Sequence, residues 1–470
     1  MGNILSQNSS KTRSSSSFEV LQGEACKRQR LLSSILDDNL RIIPALPNEV
    51  STQILARVPR IYYLNLKLVC RTWKEALENS ELFHVRKELG TTEEWLYILT
   101  KVKDDKLLWH ALDPLSRRWQ KLPPMPKVGF ENESKQGVSS FPLWSMVSSS
   151  IRIADIIMSW LGRRDALDRM PFCGCSIGAV DGCIYAVGGF SRASAMKSVW
   201  QYDPVKNTWT EASPMSDGRA YCKTGILNNK LYVVGGVTRG HGHGGLIPLQ
   251  SAEVYDPITG IWSQLPSMPF AKAQALPTVF LAGLLKPIAT GMSSYRGRLF
   301  VPQSLYCWPF FVDAGGEVYD PNVNSWLEMP IGMSEGWPAR QAGTKLCVAV
   351  NDVLYALDPS DSLDSTAKIK VYDFEGDAWK VAAGDVPIHD SADLESPYLL
   401  AGLLGKLHVI TTDGDHNIVV LQGDMQNGLA FSKFSEDGES SAETEKEFWR
   451  VLATRSGRSA ELVSCQTLEI

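Results

Sequence analysis

The 470-residue sequence has no apolar run approaching the roughly 18 uncharged residues that a membrane-spanning helix requires. It also has no surplus of basic residues, because 47 lysines and arginines face 52 acidic residues and the net charge is −5. Nucleic-acid binding needs positive charge to neutralise phosphates, so we expect no nucleic-acid partner. A phosphate-binding glycine loop and a nucleophile elbow are both missing, and catalysis is therefore not indicated.

Cysteine and histidine are too sparse to indicate a metal or disulfide framework. The nine cysteines are an odd number, and no apolar signal segment begins the sequence, so we expect reduced thiols in a cytoplasmic and/or nuclear protein. Cys173 and Cys175 are not followed by a second pair at zinc spacing. Only His241 and His243 are close neighbours among the seven histidines, and a metal there would need further ligands. We expect no cofactor.

One short unit recurs throughout the sequence. An Asp is followed six residues later by a Trp at Asp203/Trp209, Asp256/Trp262, Asp320/Trp326 and Asp373/Trp379, and more weakly at Asp113/Trp119. Asp and Pro favour the start of a β-turn. Asn207, Gly260 and Asn324 share one offset within it, where a tight return needs positive φ. The pattern predicts antiparallel strands with each Trp packed between neighbouring sheets.

The strand pattern repeats as units of four strands. In the clearest copy the strands are predicted at 221–227, 230–234, 252–255 and 261–265, with Asn228-Asn229 as the first turn. Six units can be counted over residues 94–470, but the first lacks its inner strand. A surplus strand at 459–467 is expected to pair with that first unit and close a ring.

The N-terminal residues differ in character from the strand-rich part. Residues 1–43 are predicted to be a disordered leader and residues 44–90 a small helical bundle. In that bundle Ile54, Leu55 and Val58 are expected on one face, and residues 66–77 are expected to form one amphipathic helix. So small a bundle buries its surface poorly, and exposed apolar positions would need a partner.

These motifs resemble a known family. Leu46-Pro47-x-Glu49, Val58-Pro59 and Leu66-x-x-Val69-Cys70-Arg71-x-Trp73 are similar to an F-box, while the glycine pairs, Tyr and Trp resemble the kelch motif. The chain thus resembles plant-type F-box/kelch-repeat proteins. This implies a mainly β fold, a six-bladed kelch-type β-propeller preceded by a small all-helical F-box. Only Gly188-Gly189 and Gly235-Gly236 keep the kelch glycine pair, so altered junctions are expected in later blades.

The resemblance implies a non-catalytic substrate-recognition subunit of a Skp–cullin–F-box ubiquitin ligase. The bundle would dock on the Skp adaptor, and through it on cullin and RING subunits, while the propeller binds the protein to be ubiquitinated. The residues expected to bind the adaptor are Leu46, Pro47, Glu49, Ile54, Leu55, Val58, Pro59, Leu66, Val69, Cys70 and Trp73. The alternative for the bundle is a structural helical cap on the propeller. The alternative for the whole chain is a kelch interaction scaffold outside any ligase, with or without a membrane tether.

Two insertions interrupt the repeats. Residues 127–172 contain apolar residues at helical spacing from Ile153 to Leu161, predicting an amphipathic helix. That helix would pack on the propeller or serve a partner or membrane surface. Residues 423–446 are acidic and expected to be disordered.

We predict substrate binding on the face that carries the long, dissimilar loops. Arg219, Arg340 and Arg458 each precede an inner strand, whereas Arg239, Trp308 and Phe310 belong to loops on the same face. Arginines and aromatics dominate many interfaces, and a ring of arginines would favour an acidic or phosphorylated substrate. The alternative is that these arginines only tie blades together.

The sequence also begins with a lipidation signal. Met1-Gly2 with Ser6 matches the N-myristoylation pattern. A single acyl chain gives only marginal binding, so at most weak, reversible membrane association through Gly2 is expected.

Overall fold

The computed structural model describes most of the chain, in segments. The described residues are 41–102, 106–126, 174–191, 194–239, 246–269, 286–307, 310–337, 346–359, 367–386, 398–423, 448–456 and 461–470. They belong to two compact units, Met1–Thr92 and Glu93–Ile470. The predicted leader, the predicted helix within 127–172 and nearly all of the acidic insertion lie outside the described residues. Gly423 is an exception, because it ends a strand.

The first unit is a bundle of short helices. They are α1 (Asn48–Ala56), a 3₁₀ turn (Arg60–Tyr62), α2 (Tyr63–Leu66), α3 (Arg71–Glu78) and α4 (Ser80–Glu88). Leu55, Ala56, Tyr63, Leu77 and Leu82 form its core. The chain before α1 is held by the Trp73 indole, whose Nε1 donates to the Ile42 carbonyl at 2.7 Å.

A buried arginine ties the end of this bundle to its beginning. The Arg86 guanidinium donates to the carbonyls of Ala56 and Val58, both at 3.0 Å, and to the Tyr63 hydroxyl at 2.8 Å. Orphan carbonyls at the end of α1 therefore gain charged partners, which suits a helix C-terminus. The single helix predicted over 66–77 is wrong. Cys70 is extended at φ −161° and separates α2 from α3.

The second unit contains six sheets of four or five strands, the blades of a β-propeller, so the predicted fold class is confirmed. Strands are named A to D from the inside of each blade. Blade 1 contains β29 (Glu461–Glu469), β1 (Glu94–Val102), β2 (Lys106–Asp113) and β3 (Arg118–Lys121). Blade 2 contains β4 (Ser176–Val180), β5 (Cys183–Val187), β8 (Val199–Asp203) and β9 (Thr208–Ala212). Blade 3 contains β10 (Lys223–Leu227), β11 (Lys230–Val234), β14 (Ala252–Asp256) and β15 (Ile261–Leu265).

The other three blades follow in chain order. Blade 4 contains β16 (Lys286–Ala289), β17 (Ser293–Tyr295), β18 (Arg298–Cys307), β19 (Phe310–Asp320) and β20 (Ser325–Glu328), followed by a short helix α5 (Ile331–Glu335). Blade 5 contains β21 (Cys347–Val350), β22 (Val353–Pro359), β23 (Ala367–Asp373) and β24 (Ala378–Asp385), and blade 6 contains β25 (Leu399–Leu403), β26 (Lys406–Thr412), β27 (Ile418–Gly423) and β28 (Trp449–Arg455).

The inner strands form a closed ring. Each contacts the next in the order β29, β4, β10, β17, β21, β25 and back to β29. β29 pairs antiparallel with β1, so the end of the chain completes the first blade. Glu93 and Ile470 extend this pairing with two backbone hydrogen bonds, at 2.9 and 3.0 Å.

Extra hairpins occur at the B–C junctions of blades 2 to 4. They are β6 (Phe190–Ser191) with β7 (Ser194–Ala195), β12 (Val237–Arg239) with β13 (Leu246–Pro248), and the long outer parts of β18 and β19. In blade 4 β18 continues through Val301 and Pro302, where kelch repeats have glycines. The junction is therefore altered there.

The repeated turns adopt the predicted conformation. Asn207, Gly260 and Asn324 have φ of 58°, 69° and 48°. The preceding aspartates accept backbone N–H groups, as in the Val205 N to Asp203 Oδ1 bond of 2.8 Å. At the A–B turns Asn228 and Asn229 are both at positive φ, as two-residue hairpins require.

The repeated tryptophans join neighbouring blades. The Trp209 indole donates to the Pro123 carbonyl at 3.2 Å, and each of three other repeats forms the same bond with the preceding blade: Trp262 with Ser213, Trp326 with Pro266 and Trp379 with Met333. Each of these rings also packs on the Tyr across its own hairpin, 5.0–5.4 Å between centroids. One side chain thus serves two blades.

Candidate functional site

The helical bundle carries a concentration of exposed apolar side chains, which we call the apolar surface. Its members are Val50, Ile54, Tyr62, Leu64, Leu68 and Val69. Leu68 is 84% exposed and Val69 60%, although both lie in a bundle that has a formed core. Apolar surface of this kind on so small a bundle marks an interaction site.

The predicted adaptor-binding residues divide between this surface and the core. Pro47, Glu49, Pro59 and Cys70 are exposed. Leu46, Val58, Leu66 and Trp73 are partly buried, and the last three pack on the core. Leu55 was wrongly included, because it is 1% exposed and cannot touch a partner, whereas its neighbour Ile54 is 43% exposed.

Helix geometry explains the error at Leu55. Ser51 and Leu55 are four residues apart and face the core, while Val50 and Ile54 form the adjacent outward stripe. Four members of the apolar surface were missed by sequence reasoning: Val50, Tyr62, Leu64 and Leu68. The i, i+4 spacing of Val50 and Ile54 was a usable signal. Leu68 lies in a turn between helices, where no periodicity applies.

Arg219 is not a surface recognition residue. Its side chain is fully buried, and Nη2 lies 2.7 Å from Oε1 of Glu253, which is also buried. Nη1 donates to the carbonyls of Gly235 and Ser251 at 3.1 and 2.8 Å. The prediction that Arg219 binds substrate is therefore wrong, and the guanidinium instead holds the start of blade 3 to its B–C junction.

Glu253 is held ionised within this network. Burial acts to raise the pKa of its carboxyl group, but hydrogen bonds from Arg219 and Ser216 outweigh burial and leave the pKa below its ordinary value. The main-chain N–H of Ser216 contributes a bond of 2.8 Å. Because the buried charges of Arg219 and Glu253 are paired and hydrogen-bonded, they stabilise one arrangement of the loop between β9 and β10.

The structure does not describe the side chains of the other predicted substrate-binding residues. Arg239 and Phe310 have described backbones only, in β12 and at the start of β19. Trp308, Arg340 and Arg458 lie outside the described residues, as do His241 and His243. Their roles stay predictions.

Sequence reasoning missed a lysine on the same face of the propeller. Lys223 is the first residue of β10 and pairs with Val234, directly before Gly235-Gly236. Burial lowers the pKa of its ammonium group. A single lysine at the start of a strand carries no sequence signal, since only the assembled blades make it partly buried.

Metal sites and membrane-spanning helices are both absent from the described residues. They contain no group of three or more His, Cys, Asp and Glu side chains placed to hold a metal ion. None of the described helices is long and apolar enough to cross a bilayer.

Comparison with known families agrees with both units. The F-box domain model matches residues 43–85, and the kelch motif model matches residues 171–216 and 218–269. The kelch matches coincide with blades 2 and 3, the blades that retain the glycine pairs. A helical F-box followed by a kelch propeller defines a class of proteins that are generally non-catalytic adaptors.

The chain belongs to the F-box/kelch-repeat family. It is 55% identical over 482 aligned residues to the F-box/kelch-repeat protein At1g22040 of Arabidopsis thaliana, covering 100% of both chains. It is 27% identical to F-box/kelch-repeat protein SKIP30 of the same plant, over 76% of this chain and 78% of that one. F-box/kelch-repeat protein At1g67480, also from Arabidopsis, is 27% identical over 80% and 81%. Membership implies binding of a Skp-type adaptor by the F-box and of protein by the propeller.

Proposed function

We propose that this chain is the substrate receptor of a Skp–cullin–F-box ubiquitin ligase. Its F-box binds the Skp adaptor, which connects it to cullin and RING subunits, and its propeller binds the protein to be ubiquitinated. The observation that carries the proposal is the apolar surface of the helical bundle. Its six side chains are exposed in a unit that already has its own core.

The exposure of two neighbouring residues also supports adaptor docking at the turn between α2 and α3. Leu68 and Val69 are adjacent residues in the turn between α2 and α3, and both present their apolar atoms to solvent. Burying exposed apolar area on an adaptor is favourable by about 25 cal/mol per Å² before the costs of association.

The propeller supports the substrate-binding half of the proposal. Its A–B turns are short, with two residues at positive φ in each of blades 2 to 6. The opposite face carries the extra hairpins of blades 2 to 4, where successive repeats differ in sequence and length. Differing loops on a rigid scaffold are where recognition usually resides.

A comparison of captured proteins tests the proposal. The intact chain and a Leu68→Ser/Val69→Ser variant would be used for proximity labelling in cells treated with proteasome and neddylation inhibitors. We expect the Skp adaptor and cullin only with the intact chain, and shared substrate proteins with both. Equal recovery of adaptor and cullin by the two chains would contradict the ligase assignment. It would favour a kelch scaffold that acts without a ligase.

Localisation follows as part of the proposal. We place the receptor in the cytoplasm and/or nucleus, with weak, reversible membrane association if Gly2 is acylated. Intact-mass analysis of the protein from plant cells measures the acyl group directly. A mass without a myristoyl group would remove the membrane part and leave the ligase part standing.

A further inference from the structure

The two buried histidines of the described propeller lie in one junction, between blades 6 and 1. His110 of β2 is opposite Ile98 of β1, and His408 of β26 is opposite Ala401 of β25. Opposite residues of an antiparallel pair lie on the same face of a sheet. Ile98 and Ala401 belong to one apolar cluster that spans the two blades, so both histidines face the junction. We call this junction the closing seam, because β29 completes it by pairing with β1 and contacting β25.

The charged side chains that act on His110 are both cations. Lys121 is its cross-strand neighbour in β3. Arg455 reaches the seam from β28 of blade 6, where its guanidinium lies 5.9 Å from the centroid of the Trp119 ring. His110 is 4% exposed, and its Nδ1 has no hydrogen-bond partner among the described residues. Burial, Arg455 and Lys121 all lower the pKa of the imidazole, to about 4.

His408 has a similar setting on the other side of the seam. It is 2% exposed, and its Nδ1 lies 3.1 Å from the Lys406 carbonyl oxygen. Gln422 lies opposite it in β27, and the Arg450 guanidinium donates to Oε1 of Gln422 at 3.4 Å. Burial is the largest influence on the pKa of this imidazole. It outweighs the hydrogen bonds with the Lys406 carbonyl and Gln422, and the pKa falls to about 4.

Two carboxylates at one end of the seam respond to acid with the opposite sign. Glu94 and Glu469 are directly opposite each other in the pairing of β1 with β29. Glu94 Oε2 accepts the Leu404 N–H of blade 6 at 2.6 Å. Burial, and to a smaller extent the charge of Glu469, raises the pKa of Glu94. Protonation of Glu94 therefore favours the closed seam, whereas protonation of either histidine places a charge inside it.

We infer that the closing seam is an acid-sensitive latch of the propeller: protonation of His110 and His408 separates blade 6 from blade 1 and releases the last strand. Protons bind these imidazoles more tightly once the seam has opened, because a solvated imidazole titrates near pH 6.5. The free energy that keeps the seam closed is therefore complete above about pH 6.5 and falls as the pH is lowered toward 4. β1 follows the helical bundle directly in the chain, so the latch loosens the strand that connects the two units.

Hydrogen–deuterium exchange of the full-length chain at pH 7 and pH 5 tests the latch, after correction for the intrinsic pH dependence of exchange. We expect the opening equilibrium of β1, β2, β25, β26 and β29 to increase by about tenfold for each histidine. Strands β10, β11 and β14 of blade 3 contain no histidine and should stay protected. An equal loss of protection in all blades would contradict the inference, because the propeller would then open as one unit.

Matched variants assign the response to the two imidazoles. His110→Gln/His408→Gln keeps polar side chains of similar size that cannot be protonated, and it should lose most of the acid response of the seam. His416→Gln removes an exposed histidine from the turn between β26 and β27 of blade 6 and should respond like the wild type. Glu94→Gln removes the opposing group and should enlarge the response. An unchanged response in the double variant would refute the latch.

A measurement on the wild-type chain covers the case in which the double variant does not fold. At least two of the seven imidazoles should remain neutral at pH 5 in carbon-13 spectra of histidine-labelled protein, while the others titrate near pH 6.5. Protonation of all seven imidazoles at pH 5 in a chain whose seam stays protected would overturn the inference, because the closed seam would then tolerate both charges.

Discussion

At the residue scale, a single backbone position in the repeated turn is filled by chemically different side chains. Four residues after the turn aspartate, φ is positive at Arg117, Asn207, Gly260, Asn324 and Asp377. Asn, Gly and Asp tolerate this conformation well, whereas Arg does not. The six-residue spacing from Asp to Trp therefore defines the turn more reliably than the residue at its tip.

The Arg219–Glu253 pair gives the first prediction. Arg219→Met would leave the Glu253 carboxylate buried without its main partner, so the free energy of unfolding should fall by about 3–5 kcal/mol. Urea denaturation, followed at the unfolding transition of the second unit, measures this change in free energy. The double variant Arg219→Met/Glu253→Met should recover much of the loss, since no buried charge remains unpaired. A loss below about 1 kcal/mol in the single variant would show that the pair contributes little.

Arg219 also shows where prediction from sequence stops. Its position before an inner strand was visible in the sequence, but its partner Glu253 lies 34 residues further on. Whether an arginine meets a substrate or a buried carboxylate depends on how strands from distant positions assemble. Leu55 is similar, because a change of 100° around α1 separates the core from the exposed neighbour Ile54.

At the scale of strands and blades, the repeated indole bond accounts for how adjacent sheets are joined. Four described tryptophans donate to a carbonyl of the preceding blade. Trp119 of the first blade is the exception, since its buried Nε1 has no acceptor among the described residues. At the junction between blades 6 and 1, the Arg455 guanidinium of β28 instead lies over the Trp119 ring, 5.9 Å from its centroid.

This difference predicts unequal effects of the same substitution. Trp209→Phe loses both ring volume and the bond to the Pro123 carbonyl, while Trp119→Phe loses ring volume and weakens the contact with Arg455 but loses no hydrogen bond. Trp209→Phe should therefore destabilise the propeller by about 1 kcal/mol more than Trp119→Phe. Thermal and urea unfolding of the two variants measure the difference. Equal destabilisation would mean that the indole bonds do not strengthen the blade junctions.

Removal of the last strand tests closure of the ring. Deleting residues 458–470 would leave β1 as an unpaired edge and open the ring of inner strands next to β25 and β4. We expect loss of soluble protein or a marked fall in melting temperature, because exposed strand edges aggregate. A truncated chain that melts like the wild type would show that β29 is dispensable.

At the scale of the whole molecule, the propeller and the helical bundle were predictable from the sequence for different reasons. The propeller was predictable because its aspartate, tyrosine and tryptophan positions repeat in the sequence. The Skp-binding role came from resemblance. Of the apolar surface, Ile54 and Val69 were predicted, whereas Val50, Tyr62, Leu64 and Leu68 were recognised only in the three-dimensional structure. The partial burial of Lys223 could not be predicted, since it arises from the assembly of neighbouring blades.

The central claim is that the apolar surface of the F-box binds a Skp-type adaptor. The most direct measurement is titration of purified adaptor with the wild-type chain, Leu68→Ser/Val69→Ser, and Ile258→Ser, which removes an equally exposed aliphatic side chain from the propeller. We predict at least about a tenfold loss of affinity for the double variant, since each buried aliphatic contributes on the order of 1 kcal/mol. Ile258→Ser should bind like the wild type, and all three should melt alike. Wild-type affinity in the double variant would contradict the account.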